Sequence, residues 1–291
     1  MAEWSGKTRG NLLGYRIFVA LIRHLGLRAA YALLRFVSLW FFLFGFTPRK
    51  HMVNFYTQAM GYSFPRALIL TRRNFYLIGQ TLVDRFAFLI GKGSAMSYSM
   101  NGNHYLKQMT EAGKGGILVS GHVGNWDIAG NMLKSEFNKP INVVMFDGEQ
   151  EQIKKYWQDK TGGPAFNIIA IKQDLSHIFM IKQAVDRGEF VCIHADRFLP
   201  GSRTITLDFL GKPARFPFGP FHIASKLSAP VTFVFAVKGS DFHYKLSATP
   251  PMDGLQKPEV YAQAFVKTFE EKVKATPEQW FNYFDFYKME D

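Results

Sequence analysis

The spacing of apolar positions changes character near residue 96, and the two halves of the chain predict different architectures. In residues 14–28, Arg16, Arg23 and Arg28 are set among apolar residues, as on a helix lying in a membrane interface. Ala29 to Phe46 follow as eighteen residues with one charge, Arg35, and the run from Phe36 to Phe46 is the most hydrophobic in the chain. Pro48-Arg49-Lys50 closes that run with a helix breaker and two bases. Eighteen residues is the low end for a membrane span, and an Arg at its centre costs roughly 2.5–3.5 kcal/mol on insertion scales. A short span, an interfacial helix and a buried core helix therefore compete, with membrane contact favoured over the core. Residues 51–95 read as helical and amphipathic, with Arg66, Arg72, Arg73, Arg85 and Lys92 along them, and are expected to lie over the membrane-facing side of the remaining domain.

From residue 97 short β-rich runs alternate with helical patterns. The strands expected are Ser97–Asn101, Gly116–Ser120, Ile141–Phe146, Asn167–Ile171, Phe190–Ala195, Thr204–Phe209, Val231–Lys238 and Phe242–Thr249. Helices are expected near 126–136, 149–160, 175–187 and 220–228, with a last one from Pro258 to Lys274. In the third, Leu175, Ile178, Ile181 and Val185 recur at steps of three and four, which gives one apolar face. Such alternation predicts an α/β fold, a sheet with helices on its faces. The chain divides into an N-terminal membrane-anchoring helical segment (1–50), an amphipathic helical region (51–95) and an α/β domain (96–291).

Charge sharpens this division. The net charge of +12 would suit nucleic acid, yet residues 1–73 hold eleven Lys and Arg against one acid, Glu3. The α/β part is nearly neutral, and no RNP, zinc-finger or helix-turn-helix pattern accompanies the bases, so no nucleic-acid partner is expected. Cationic flanks around an apolar segment suit an anionic inner leaflet. With 291 residues and 29 Phe the chain buries a wide core or presents apolar surface to lipid. The one cysteine, Cys192, lies in an apolar run and reads as a buried thiol. No small-residue cleavage site follows a short apolar stretch at the N-terminus, so no signal peptide is expected and the chain is placed on the cytoplasmic side.

The candidate chemistry begins where Gly116–Ser120 runs into Gly121-His122-Val123-Gly124-Asn125-Trp126-Asp127 and then a helix. A His in a Gly-flanked turn after a buried strand is held at the sheet's carboxyl edge, where α/β folds place their sites. Asp127 falls in the first turn of the following helix and is expected to fold back on His122, fixing its tautomer and stabilising the imidazolium formed when it takes a proton. The helix start offers N–H groups to an anion. His followed five residues later by Asp is a weak signal alone; the strand–turn–helix setting and two glycines strengthen it, against the bland reading of a His that caps a turn. His194-Ala195-Asp196-Arg197 ends a second buried strand, with Asp196 and Arg197 as either a structural pair or part of the site. Arg215 stands in a Pro/Gly loop, residues 211–220, leading into a helix, and could grip a phosphate or carboxylate. A metal held by His122, Asp127, His194 and Asp196 ranks low because no ligand spacing supports it. Neither a G-x-S-x-G elbow, a P-loop nor a dinucleotide fingerprint is present.

The turn at 121–127 resembles the HxxxxD/E motif of glycerolipid acyltransferases, in the form found in the lipid A late (lauroyl/myristoyl) acyltransferase family. The resemblance includes the basic apolar N-terminus, Arg73-Asn74, Ala195-Asp196-Arg197, the Phe209–Ala214 loop with Pro217 and Gly219, and the closing Pro277-Glu278-Gln279-Trp280-Phe281. It implies a mixed central sheet flanked by helices and a bacterial inner-membrane enzyme on the cytoplasmic face. It implies acyl transfer from an acyl carrier protein or coenzyme A thioester to a membrane lipid, with no further cofactor, His122 as general base and Asp127 as its orienter. Asn125, Lys172, Asp196, Arg197 and Arg215 become candidate substrate-binding residues. Lys172 stands where Arg is expected and Asp127 where the lipid A branch has Glu, departures that bear on the acceptor. A lipid A precursor or related glycolipid is favoured; an aminolipid, a lysophospholipid, a polyene, or a non-catalytic lipid-binding role are the alternatives.

Overall fold

Most of the apolar runs of the second half become strands of one sheet, and the basic apolar first half becomes helices laid against it. The computed structural model describes residues 12–137, 139–146, 166–172 and 174–288. The helix expected at 149–160 lies outside these, as do residues 1–11.

The first half holds α1 (Leu12–Phe44), α2 (Phe46–Asn54) with a π-helical turn at Phe55–Ala59, and α3 (Phe64–Leu89). Gly26, at φ 80°, kinks α1. One stripe of α1 (Tyr15, Val19, Ile22, Ala30, Tyr31, Leu34) is buried, chiefly against α3, while Phe36, Trp40 and Phe44 are 73%, 56% and 59% exposed. Long and apolar enough to cross a membrane, α1 is nonetheless docked along one side.

The second half runs β1 (Ser97–Asn101), α4 (Asn103–Glu111), β2 (Gly116–Ser120), α5 (Trp126–Phe137), β3 (Ile141–Met145), β4 (Asn167–Ala170), α6 (Ser176–Asp186) and β5 (Phe190–His194). Then come β6 (Thr204–Phe209), β7 (Lys212–Pro217), α7 (Gly219–Lys226), β8 (Val231–Ser240), β9 (His243–Ala248), α8 (Pro258–Ala275) and a 3₁₀ turn at Pro277–Gln279. Seven strands form the mixed sheet in the order β1-β9-β8-β2-β5-β3-β4, with every neighbouring pair parallel except β8–β9. Every residue of β2 is buried, as expected of a central strand covered on both faces. Ile117, Val119, Val191 and Ile193 share a core with α6, α7, α8 and the π-helical turn; Leu118, Cys192 and Val143 share the other with α1, α3, α4 and α5.

Two elements depart from the sequence reading. Helix α4 was not expected, because nine residues show only Leu106 and Met109 buried. Residues 212–217, read as a Pro/Gly loop, form β7, paired antiparallel with β6 in a separate hairpin. A two-stranded ladder leaves each strand an open edge, so Pro213 and Pro217 fit without a missing N–H being felt.

Candidate active site

Strand β2 delivers its last residue to the carboxyl edge, and a tight turn carries the chain into α5. Gly124 makes the turn possible: its φ is +75°, and a Cβ there would sit 2.0 Å from the Ala236 carbonyl oxygen. Backbone bonds hold the turn on three sides. Gly124 donates to the Gln279 carbonyl (2.9 Å), Asn125 to that of Ala236 (2.7 Å), and the His122 carbonyl accepts from Phe281 N–H (3.1 Å). Asn125 Oδ1 accepts from Ile128 N–H (3.3 Å), so Asn125 caps α5.

Beside this turn stands Asp196. Ser120 of β2 is registered against His194 of β5, so His122 and Asp196 each lie two residues beyond a matched pair of strand ends. Asp196 Oδ1 is 2.7 Å from His122 Nδ1, and Oδ2 accepts the His122 backbone N–H (2.9 Å) and the Trp280 indole N–H (3.2 Å). A carboxylate on Nδ1 fixes the tautomer that leaves Nε2 with its lone pair. Burial alone would raise the Asp196 carboxyl, but His122 and Arg197 hold it well below the usual carboxylate range. Burial, helped by the charge of Arg197 and opposed by Asp196, pushes His122 below the ordinary His value, while 22% of its side chain still reaches solvent. The His194 ring lies 4.6 Å from that of His122 and is pushed down to about 3 by burial and then by His122. Burial thus pushes both imidazoles toward the neutral form.

The other residues singled out in the sequence separate. The carboxylate hydrogen-bonded to Nδ1 is Asp196; Asp127, expected there, forms an ion pair with Arg85 of α3 (Oδ2–Nε 2.9 Å). Its place in the first turn of α5, which packs on α3, explains that partner. Arg197 donates to the Phe281 carbonyl, and its charge reaches both His122 and Asp196. Arg215 is on β7, its Nε on Thr204 Oγ1 (3.1 Å) and its guanidinium over Phe198 (5.2 Å), the residue two beyond Asp196. Lys172 is exposed beyond β4, three strands from β2, or about 14 Å at ordinary strand spacing. Among the described residues no group of three or more His, Cys, Asp or Glu has a geometry that could hold a metal ion.

The structure adds residues whose function sequence reasoning did not assign. Trp280, fully buried, donates to Asp196, and Asn74 of α3 spans the Glu278 and Trp280 carbonyls (3.0 Å each). The Arg73-Asn74 and 277–281 segments, distant in sequence, thus meet at the site; no local pattern could have paired them. An apolar cavity of about 30 Å³ lies under α5, with Ser120, Trp126, Met100, Leu133 and Leu246 among its walls.

The site thus combines an α/β sheet, a histidine held by a carboxylate at its carboxyl edge, and an apolar cavity lined by Ser120 and Trp126 from either side of the His122 turn. The chain belongs to the bacterial lipid A biosynthesis acyltransferase family, which it matches over residues 13–284. It is also similar to the phosphatidylinositol mannoside acyltransferase of Mycobacterium tuberculosis (strain ATCC 25618 / H37Rv), 27% identical over 188 residues, 62% of this chain and 57% of that protein. The enzyme of the same name from Mycolicibacterium smegmatis is 25% identical over 126 residues, 43% of this chain and 41% of that protein. The matched region thus spans little more than half of the first of these relatives and less than half of the second.

Proposed function

We propose that the protein is an acyltransferase moving a fatty acyl chain from an acyl carrier protein or coenzyme A thioester to a hydroxyl of a membrane glycolipid. The observation that carries this reading is the 2.7 Å His122–Asp196 pair at the edge of the sheet. His122 Nε2 takes the proton of the acceptor hydroxyl as its oxygen attacks the thioester carbonyl carbon. The tetrahedral intermediate collapses with loss of the thiolate, and the imidazolium returns the proton to sulfur. Asp196 stabilises that imidazolium and, with its second oxygen, holds the turn. Asp127 and Arg85 fix the first turn of α5, which forms one wall of the cavity. The acyl chain fits that cavity by its chemistry; at about 30 Å³ it admits a long alkyl chain only when lining side chains change rotamer or α5 shifts.

A lipid A precursor or a related glycolipid is the acceptor favoured by the family and by the mannolipid named for its relatives. The protein acts at the cytoplasmic face of the inner membrane, with the outer stripe of α1 in lipid and Arg16, Arg23 and Arg28 toward anionic headgroups. Docking of its other stripe on α3 favours a helix lying in the interface over a free span. Full-length enzyme in detergent, given an acyl thioester and a glycolipid fraction, is expected to yield a lipid heavier by one acyl group and one free thiol per product. Thiol release without acylated lipid would make the protein a thioesterase, and lipid binding with neither would make it a non-catalytic carrier.

A further inference from the structure

Behind the His122 turn the protein buries a charged pair that the proposed proton transfer does not use. Asp84 of α3 is fully buried and Lys238 of β8 nearly so, and the two form a salt bridge. Asp84 also accepts from the hydroxyls of Tyr31 and Tyr244, and Lys238 Nζ donates to the same oxygens (2.7 and 3.3 Å). Four elements meet here: α1, α3, β8 and β9. Burial pushes Asp84 up and Lys238 down, each against the pull of its partner, so removal from water is the dominant influence on both. Apolar residues of similar volume are often neutral or stabilising in place of such a pair, and a pair that is kept has specificity of arrangement as its best-attested use.

What this cluster arranges is visible in its contacts. The Tyr244 hydroxyl is 3.3 Å from Asn125 Nδ2, so it meets the residue that caps α5. Lys238 is also clamped through its backbone: its N–H donates to Gln279 Oε1 (2.7 Å) and its carbonyl accepts from Gln279 Nε2 (2.8 Å). Gln279 in turn accepts from Gly124 N–H through its main-chain carbonyl. Two independent routes therefore run from Lys238 to the turn, one through Tyr244 to Asn125 and one through Gln279 to Gly124. On the other side, Tyr31 joins α1 to the cluster. The apolar stripe of α1 would tolerate sliding along α3; a hydroxyl aimed at one buried carboxylate does not.

We infer that Asp84, Lys238, Tyr244 and Gln279 are positioning residues for the His122 turn, and that Tyr31 makes their arrangement conditional on correct seating of the N-terminal helix. This rests on the proposed reaction only in naming His122 as the base. The test uses full-length protein in detergent micelles and compares wild type with Asp84→Leu/Lys238→Met, which removes both charges together, and with Tyr244→Phe and Tyr31→Phe, which each remove one hydroxyl. Thermal unfolding reports the fold, and ¹⁵N NMR titration of the His122 imidazole reports its setting whether or not any acyl transfer occurs.

The double variant is expected to melt within a few degrees of wild type. Its His122 titration should move toward the ordinary His value, and its kcat should fall about 10–100-fold with KM little changed. Tyr244→Phe should produce part of the same shift, and Tyr31→Phe a smaller one. A wild-type titration and wild-type kcat in a folded double variant would overturn the inference. If that variant does not fold, an unshifted titration in both tyrosine variants overturns it instead. Absence of acyl transfer by the wild-type protein, with the titration shifted in the variants, would remove the proposed reaction and leave the positioning role standing.

Discussion

At the residue scale the site turns on one imidazole and the carboxylate bound to it. His122→Ala is expected to lower kcat by about 10²–10⁴, the usual contribution of general-base assistance. Asp196→Asn should be severe alone yet add little to His122→Ala, because groups that act as one unit are not additive. Asp127→Asn should instead couple to Arg85→Gln, and double-mutant cycles on turnover separate the two pairings. The pH dependence carries a definite sign. His122 and His194 titrate below the ordinary value in the folded protein, so the unfolded chain binds more protons across the interval between. Their contribution to stability is complete above about pH 6.5, the unfolded His value, and is lost as pH falls toward the folded values. Tm should therefore drop from pH 7 to pH 5, and His194→Gln should flatten that drop. His122 was legible in the sequence because a buried apolar strand and two glycines frame it. Its carboxylate was not, since Asp196 lies 74 residues away and reaches it only through the β2–β5 register. Asp127, five residues on, offered the nearer carboxylate, and only the packing of α5 on α3 shows that Arg85 is its partner.

At the scale of elements, the site is a meeting of chain ends held by side-chain amides. Asn74→Ala would strip hydrogen bonds from the Glu278 and Trp280 carbonyls and from the Tyr283 hydroxyl, which Asn74 Oδ1 accepts at 2.7 Å. A loss of about 1–3 kcal/mol is expected in chemical unfolding, the range for buried groups left unpaired. Turnover should fall with it, because Trp280 is a donor to Asp196. Lys238→Met alone should cost more, about 3–5 kcal/mol, since it strands a buried carboxylate. The strands of the large sheet were readable because buried β-rich runs end at turn residues, and their observed bounds differ from the expected ones by no more than two residues at any end. β7 was not readable, because prolines at 213 and 217 mark a loop in any local window and only its pairing with β6 makes it a strand. α4 was missed for the opposite reason, its apolar signal being two residues long.

At the scale of the whole molecule a run of aromatic contacts links the C-terminal part of α1 to the segment that carries Trp280. Phe42 packs against Phe75 (6.2 Å between rings) and Phe75 against Tyr283 (5.4 Å), within the same segment that carries Trp280. Replacing Phe36, Trp40 and Phe44 with Ser should weaken sedimentation with vesicles while leaving the melting curve near wild type, because these side chains are outside the packed stripe. Neutralising Arg23, Arg28, Arg49 and Lys50 should instead reduce binding most on anionic vesicles and make what remains less sensitive to salt. Deleting residues 1–47 is a harsher change, since it bares the face of α3 that α1 covers; aggregation rather than clean release is expected. Vesicle binding unchanged in the Ser and charge variants alike would place the lipid contact elsewhere.

The chain carries a single sulfhydryl, that of Cys192, and the fold hides it in the wall of the apolar cavity, where burial pushes its pKa up to about 12. At neutral pH almost none of it is thiolate, so electrophilic labels have almost nothing to attack. Maleimide labelling of the folded native chain is therefore expected to be very slow. One cysteine placed on the outer stripe of α1, at Phe36 or Trp40, would be the reactive handle on this chain, and a spin label or fluorophore there would measure how deeply that helix sits in a bilayer without Cys192 first having to be removed.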